Sequence, residues 1–520
     1  MTKSSGSLKL KGDSNALYEA ASTAVTLAGG SFLSVLIAGL GSLVLARVLG
    51  PEGYGAYSLV LAVPAFLASF VDLGMSAAMV RYIPRYPEKA ASYVTLGVVV
   101  ALITSSLITV IGILTSSALS KTLINRPEYS DLVLISMPYL LSYSLLNVSR
   151  ASLIGMGKRV KAALLDPIYN FLRVSLSIAL AVAFFTKGAV LGIVIASAVT
   201  SLVGVVLIIR SLSRPKLSFS YNEVLELLQF SIPLYVTGLV GSVTQMYTTL
   251  MLSRFFTDFE IGNYRAALNL LSVISIAIAP FSTAFLKVFS ELGAQDFREL
   301  FTDSIKYVAL FSTPLTLFSS ATAHDIVRVV YGRRYTEANV YFSMVVLVNT
   351  LTLLGSHVVG PALSAINKTK YILVSNILGS LAYVPLLYVL ARTCGLQGAV
   401  ISYLSLNTIT TLAQLYFLVK STKVSLDYVF SARVLVSAVT PSLALIPVAK
   451  GQEFADSLLL LALKFVAYIA VYVALLAISR TITESDVYKL SGLSKSLGPL
   501  SGIVNIVLKY ATLLLRLLQR

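Results

Sequence analysis

The stretch Leu45-Ala46-Arg47-Val48-Leu49-Gly50-Pro51-Glu52-Gly53-Tyr54-Gly55-Ala56-Tyr57 closes one long apolar segment and opens the next. Its skeleton, Leu-x-Arg-x7-Gly-x-Tyr, returns as Leu252-x-Arg254-x7-Gly262-x-Tyr264, shifted by 207 residues without a gap. Further on the shift is 210: Leu153 matches Leu363, Lys158 matches Lys368, and Gly188-Ala189-Val190 matches Gly398-Ala399-Val400. The chain is therefore a duplicated unit of about two hundred residues. That unit is built of membrane spans, and internal repeats in such a chain point to a transporter with its substrate site between the halves.

Hydrophobic residues make up 57% of the 520 and charged residues 12%, with a mean hydropathy of +0.85. A soluble domain carries about twice that charged fraction, so the chain reads as an integral membrane protein. A net charge of +17 would suggest nucleic acid in a soluble chain. Here the basic residues sit in short links between apolar segments, the pattern that holds loops in the cytoplasm, and no nucleic-acid partner is expected. One cysteine, Cys394, excludes an internal disulfide and a cysteine cage for a metal, and two histidines exclude a histidine-rich site. The polar start and the long first apolar run do not read as a signal peptide.

A spanning helix takes about 20 apolar residues. This predicts an all-α membrane fold of about fourteen spans, from 22–46 and 56–79 to 432–449 and 457–479. Lys and Arg are more than twice as numerous in the links on the side of the N-terminus as in the alternate set. Both termini are therefore expected in the cytoplasm, with the chain in the cytoplasmic membrane. Spans 1 and 7 then run the same way, which makes the halves two parallel six-helix lobes. The expected division is an N-terminal lobe over 1–215, a C-terminal lobe over 216–425, and 426–520 with two further spans and an amphipathic cytoplasmic tail. Prolines such as Pro64, Pro138 and Pro361 interrupt many spans.

An ionisable group at mid-bilayer costs at least ~3 kcal/mol on insertion scales, so it faces protein or water. Arg173, in the middle of span 5 (162–185), shares a helix face with Asp166, and Asn170 and Ser177 continue the stripe. Two readings stand. Either the stripe lines a polar cavity and offers Arg173 to an anionic headgroup, or Arg173 and Asp166 form an internal ion pair. Two helical turns are ~10.8 Å, long for direct contact. The repeat equivalents, Asn376, Ser380 and Tyr383, are polar and uncharged, which assigns most headgroup binding to the N-terminal lobe.

Asp72 and Ser76 fall in the inner half of span 2 with Arg81 at its edge, and Lys287 takes nearly the same place in span 8. Arg81 and Lys287 either form a basic cytoplasmic vestibule for a phosphate-bearing substrate or anchor the topology. Arg47 and Arg254, at equivalent outer ends, either line the cavity mouth or hold the turn. Lys464, two turns into span 14, is expected to snorkel outward. His324-Asp325, at the outer end of span 9, reads either as a proton-sensitive pair or, as a single exposed histidine more often is, as incidental.

No P-loop, D-x-D, H-E-x-x-H or G-x-S-x-G occurs, so no enzymatic role and no cofactor are expected. An H⁺ or Na⁺ gradient, or consumption of the product, is the expected drive. Asp72 is the candidate coupling acid and Asp166 the charge partner of Arg173.

Residues 45–57, then Asp72-Leu73-Gly74 with Arg81, Phe230-Ser231-Ile232-Pro233, and Tyr331-Gly332 with Tyr335, resemble the multidrug/oligosaccharidyl-lipid/polysaccharide (MOP) flippase superfamily. The Wzx-like polysaccharide transporter branch is the best match, over most of residues 20–420. The resemblance implies two six-helix lobes around a central cavity that alternates between inward- and outward-open states. It implies a polyprenyl- or dolichyl-(pyro)phosphate-linked glycan as substrate, membrane lipids around it, and glycosyltransferases of the same pathway as partners. Basic cavity residues would hold the phosphate, a role that falls to Arg173 and Arg81. The competing readings are a multidrug or organic-cation antiporter of the same superfamily, a peptidoglycan lipid flippase, and a membrane glycan polymerase or glycosyltransferase.

Overall fold

The computed structural model describes residues 5–212, 221–291, 294–446, 454–494 and 501–518. Contacts group the chain into two compact units, Met1–Arg265 and Ala266–Arg520. The first holds α1 (Ser5–Ala68), α2 (Met75–Arg85), α3 (Ala90–Leu114), α4 (Ser116–Leu123), α5 (Ser130–Ser136), α6 (Tyr139–Gly155), α7 (Arg159–Ile209), α8 (Tyr221–Phe255) and the start of α9 (Asp258–Glu291). The rest of α9 lies in the second unit. There follow α10 (Ala294–Ala321), α11 (Ala323–Tyr331), α12 (Ala338–Val345), α13 (Ser356–Ala365), α14 (Thr369–Thr422), α15 (Tyr428–Leu445), α16 (Phe454–Ile478), α17 (Glu484–Ser494) and α18 (Ser501–Leu518).

Among the described residues, eight helices are long and apolar enough to cross a membrane, or nine with the bent pair 338–354 and 356–365 taken as one span. The chain is a multi-pass membrane protein. Among the described residues, three runs exceed one span and break midway: α1 at Gly50, α7 at Phe184-Phe185 and α14 at Gly395. In lipid every backbone polar group must be satisfied within the protein, so an apolar run becomes a helix and turns only where the bonding can be interrupted.

The breaks follow the duplication. Phe185 (φ 48°) and Gly395 (φ 64°) are repeat mates, and both sit in the positive-φ region. Beyond each turn a glycine lets the returning helix touch the outgoing one. A β-carbon on Gly188 would lie 2.0 Å from the Leu180 carbonyl oxygen, and one on Gly398 would lie 2.0 Å from that of Leu390. The Leu and Lys shared by the repeats also have a physical role. The Lys158 amide donates to the Leu153 carbonyl at 2.8 Å, and the Lys368 amide to that of Leu363 at 2.9 Å. Each bond closes a helix end over a left-handed residue, Gly157 or Asn367, in a Schellman geometry.

The opening motif also meets its own copy. A β-carbon on Gly55 would lie 1.9 Å from the Asp258 carbonyl oxygen, and one on Gly262 would lie 1.8 Å from that of Pro51. Asp258 is the repeat mate of Pro51, so the contact is reciprocal. The two helix starts are made differently. Pro51 sits just after the break at Gly50, with its fixed φ and no amide proton to satisfy. In the second copy Thr257 and Glu260 form a capping box: Glu260 Oε2 accepts from the Thr257 amide at 2.8 Å, and Thr257 Oγ1 accepts from the Glu260 amide at 3.3 Å.

Span 2 differs from the expectation. It is not one helix over 56–79; α1 ends at Ala68 and α2 begins at Met75, with Leu73 and Gly74 at φ 47° and 75°. The reason is close packing: a β-carbon on Gly74 would lie 2.6 Å from the Ser231 carbonyl oxygen of α8. Span 10 is likewise broken, with a 3-10 stretch over Val346–Leu354 and Gly355 at φ 81° before α13.

In the second unit the C-terminal helices share a core with the repeat helices. Val434 and Ala438 of α15, Tyr472 and Leu476 of α16, and Ala511 and Leu515 of α18 pack with Ala309 of α10. Lys464 overturns its expectation. It does not snorkel; its Nζ donates to Asp325 Oδ2 at 2.7 Å, and both side chains are almost fully buried (5% and 3% exposed). A carboxylate within reach makes inward burial possible where an isolated ammonium would seek the interface. His324-Asp325 is accordingly no incidental pair, since Asp325 ties α11 to α16.

Candidate functional site

The first half of α7 carries the predicted stripe, and each of its polar residues faces a different neighbour. Asp166 accepts from Arg150 Nη1 of α6 at 2.5 Å. Asn170 Nδ2 donates to Ser34 Oγ of α1 at 2.7 Å and to the Asp166 carbonyl at 3.1 Å. Ser177 Oγ donates to the Ala189 carbonyl at 3.0 Å, across the hairpin of α7. Arg173 is half-buried, and its Nε is buried with no hydrogen-bond partner. Among the described residues no carboxylate lies within ion-pair distance of it. Asp166 is thus the partner of Arg150, because α6 brings that guanidinium alongside while Arg173 stands two turns further along the helix.

Around Arg173 the wall is phenolic. Its charge acts on the hydroxyls of Tyr57 from α1, Tyr139 from α6 and Tyr169 from α7. Tyr139 stacks on Tyr143 with ring centroids 5.0 Å apart, and Tyr143 lies 6.5 Å from Tyr169. This grouping places a guanidinium with no carboxylate partner among the described residues beside phenolic hydroxyls, chemistry that suits an anionic group with oxygens to spare. Tyr57 closes the opening motif, but nothing in the sequence assigns it, Tyr139, Tyr143 or Tyr169 to Arg173. Spacing along one helix carries no sign of which residues of α1 and α6 will face it.

The other predicted residues are dispersed. Asp72 sits at the break before α2, where it accepts from Ser76 Oγ at 2.5 Å and from the Ser76 amide at 3.4 Å. It caps a helix start and does not lie inside a continuous span. Arg81 is exposed, with its guanidinium 5.7 Å from the ring centre of Tyr82. Arg47 and Arg254 are exposed at the ends of their segments. The Lys287 side chain lies outside the described residues.

A cluster the sequence did not disclose ties the α4–α5 link to the second copy of the opening motif. Arg126 donates to Asp258 Oδ1 at 2.9 Å and to the carbonyls of Ser253 at 2.7 Å and Phe256 at 2.8 Å. The Tyr129 hydroxyl bonds the other oxygen of Asp258.

A helical membrane fold with a duplicated unit and a basic group held in its interior is that of a transporter. Solved structures agree on the fold. A lipid II flippase in its inward-closed conformation superposes with a TM-score of 0.69 at 17% identity, over 86% of this chain and 98% of that one. A multidrug resistance MATE family transporter of the MOP superfamily, inward-facing, gives 0.62 at 16% identity, over 75% and 94%. Among curated proteins, an O-antigen transporter of Shigella flexneri is 20% identical over 381 residues, 69% of this chain and 88% of that one. Residues 21–293 match the polysaccharide biosynthesis protein family, and the chain belongs to that family.

Proposed function

We propose that the chain is a flippase that moves a polyprenyl- or dolichyl-(pyro)phosphate-linked oligosaccharide across the cytoplasmic membrane by alternating access, for surface polysaccharide or glycoprotein synthesis. The lobes 1–215 and 216–425 rock about the substrate, and both termini lie in the cytoplasm. The observation that carries this reading is Arg173: a guanidinium in the middle of a membrane helix, with no carboxylate partner among the described residues and a buried unpartnered Nε. A charge kept there at a cost of several kcal/mol points to an anionic ligand. A phosphate fits, since it takes a guanidinium fork and leaves oxygens for tyrosine hydroxyls. The family and the O-antigen transporter relative support a glycan on that phosphate. A multidrug or organic-cation antiporter would place carboxylates in the interior instead, and Asp166 is already bound to Arg150.

The role needs no catalytic step and no ATP at this chain. The reading is tested in reconstituted vesicles by headgroup translocation of a labelled lipid-linked oligosaccharide. The parent should flip it, Arg173→Ala should lose at least ~10-fold in rate with normal insertion, and Arg173→Lys should regain part of it. Full transport by Arg173→Ala would remove Arg173 from the site. No translocation by the parent of any lipid-linked glycan would overturn the function.

A further inference from the structure

We infer that a cavity at the end of α11 binds an anionic sugar, meaning a glycosyl residue that carries a carboxylate or a phosphate. The cavity has a volume of about 220 Å³, and its lining includes His324, Arg328, Arg333, Thr336 and Asn339. That is below the ~300–1,000 Å³ of sites for drug-sized ligands, and it suits one sugar residue better than a chain.

The local sequence explains the arrangement. His324 and Arg328 are four residues apart and share one face of α11. Asp325, next to His324, points the other way and is locked to Lys464. Gly332, at φ 80°, ends the helix and turns the chain so that Arg333 lines the same cavity as Arg328. The loop is held firmly. The Tyr331 hydroxyl donates to the Ala266 carbonyl at 2.9 Å, and the Tyr335 ring packs on that of Tyr331 with centroids 4.8 Å apart. Both tyrosines are buried.

The chemistry of the lining is one-sided. Two guanidiniums and an imidazole contribute, and no lining residue is a carboxylate. Asn339 adds a second kind of demand. One end of its amide faces His324 Nδ1 at 3.5 Å, while the other end is buried without a protein partner. A bare anion would take up positive charge from the lining and leave the Asn339 amide oxygen and the Thr336 hydroxyl unused. A sugar acid or sugar phosphate supplies anionic oxygens for the arginines and hydroxyls for the amide. The source of the sugar rests on the function proposed above: on that topology the cavity faces the outer side, where the glycan emerges, and an acidic residue of the glycan would dock there.

The chain has no tryptophan, so Val340→Trp supplies a single fluorophore. Val340 is 40% exposed, beside Asn339 and outside the lining. The purified full-length variant is titrated with glucuronate, glucose 1-phosphate, glucose and inorganic phosphate. Expected is a saturable change with glucuronate or glucose 1-phosphate in the millimolar range or below, none with glucose, and weaker binding of inorganic phosphate. The response to the two anionic sugars distinguishes a carboxylate from a phosphate as the recognised group. Adding Arg328→Gln and Arg333→Gln should weaken binding about tenfold or more, in a protein that remains monodisperse. Should that pair fail to fold, the milder Asn339→Leu should weaken the sugars and spare inorganic phosphate. No saturable response to either anionic sugar, equal affinity for glucose or inorganic phosphate, or binding that survives removal of both arginines would overturn the assignment. Translocation by the parent is measured separately, so failure here leaves the flippase reading standing.

Discussion

Asp166 is bound to Arg150 on the neighbouring helix, at 2.5 Å, and not to Arg173 on its own. That contact leaves the half-buried Arg173 without Asp166 and available to a ligand. The two partners are 28% and 41% exposed, so their attraction is screened and worth little to stability. Asp166→Asn should therefore lower stability by no more than ~1 kcal/mol, measured as the melting temperature in detergent, and reduce flipping less than Arg173→Ala does. A loss as large as that of Arg173→Ala would place Asp166 in the transport machinery.

The Lys464–Asp325 pair should behave otherwise, because it is buried. Removing one partner of a buried pair strands the other charge and costs ~3–5 kcal/mol. Lys464→Met alone should lower the unfolding temperature sharply, and Lys464→Met with Asp325→Leu should recover most of it. If the double variant is no better than the single, the pair is not what joins α16 to α11.

Gly55 and Gly262 each lack a β-carbon where the other repeat's backbone carbonyl sits within 2 Å of its place. Gly55→Ala and Gly262→Ala should each force the two helix starts apart and cost ~1–3 kcal/mol. Both should lower folded yield and alter transport by similar amounts, since the contact is reciprocal. Tolerance of either alanine with unchanged melting would show that the turns do not pack as described.

Phe185 holds φ 48° and ψ −134°, where its repeat mate Gly395 holds φ 64° and ψ −151°. Phenylalanine is strained there, by about 1–3 kcal/mol, and its 74% exposed ring gains little from packing. Phe185→Gly should raise stability by about 1 kcal/mol, after glycine's own entropic cost. The check is a thermal melt, and a lower melting temperature would refute the strain.

Asp72 caps α2 through Ser76. Asparagine caps about as well as aspartate, so Asp72→Asn should leave the melting temperature within about 2 °C, since the change is a few tenths of a kcal/mol. If Asp72 couples transport to H⁺ or Na⁺, the same variant should lose its response to an imposed gradient in vesicles. A gradient response equal to the parent's would leave Asp72 as a cap alone.

Much of the architecture could be read from order along the chain. The duplication, the membrane class and the places where helices turn are local matters. Leu153 with Lys158 closes a helix end five residues long, and Gly188 follows its turn by three residues. The bilayer enforces this, because each apolar run must satisfy its own backbone as a helix and can stop only at residues that tolerate the turn. Arg173 was equally legible, since a charge in an apolar run is conspicuous whatever surrounds it.

Partners across helices were not legible. Lys464 meets Asp325 from 139 residues away, and Arg126 meets Asp258 from 132. The tyrosines around Arg173 come from three helices. Periodicity states which face of a helix is polar, but not which helix will lie against it. Within lipid, apolar surface gives little preference for one neighbour over another, so close backbone approach and polar pairing decide which helices meet. The sequence by itself determined the repeat, the helices and the arginine set within a span; only the tertiary structure decided that Asp166 belongs to Arg150 and Lys464 to Asp325, because those choices depend on complementarity between faces that meet only after folding.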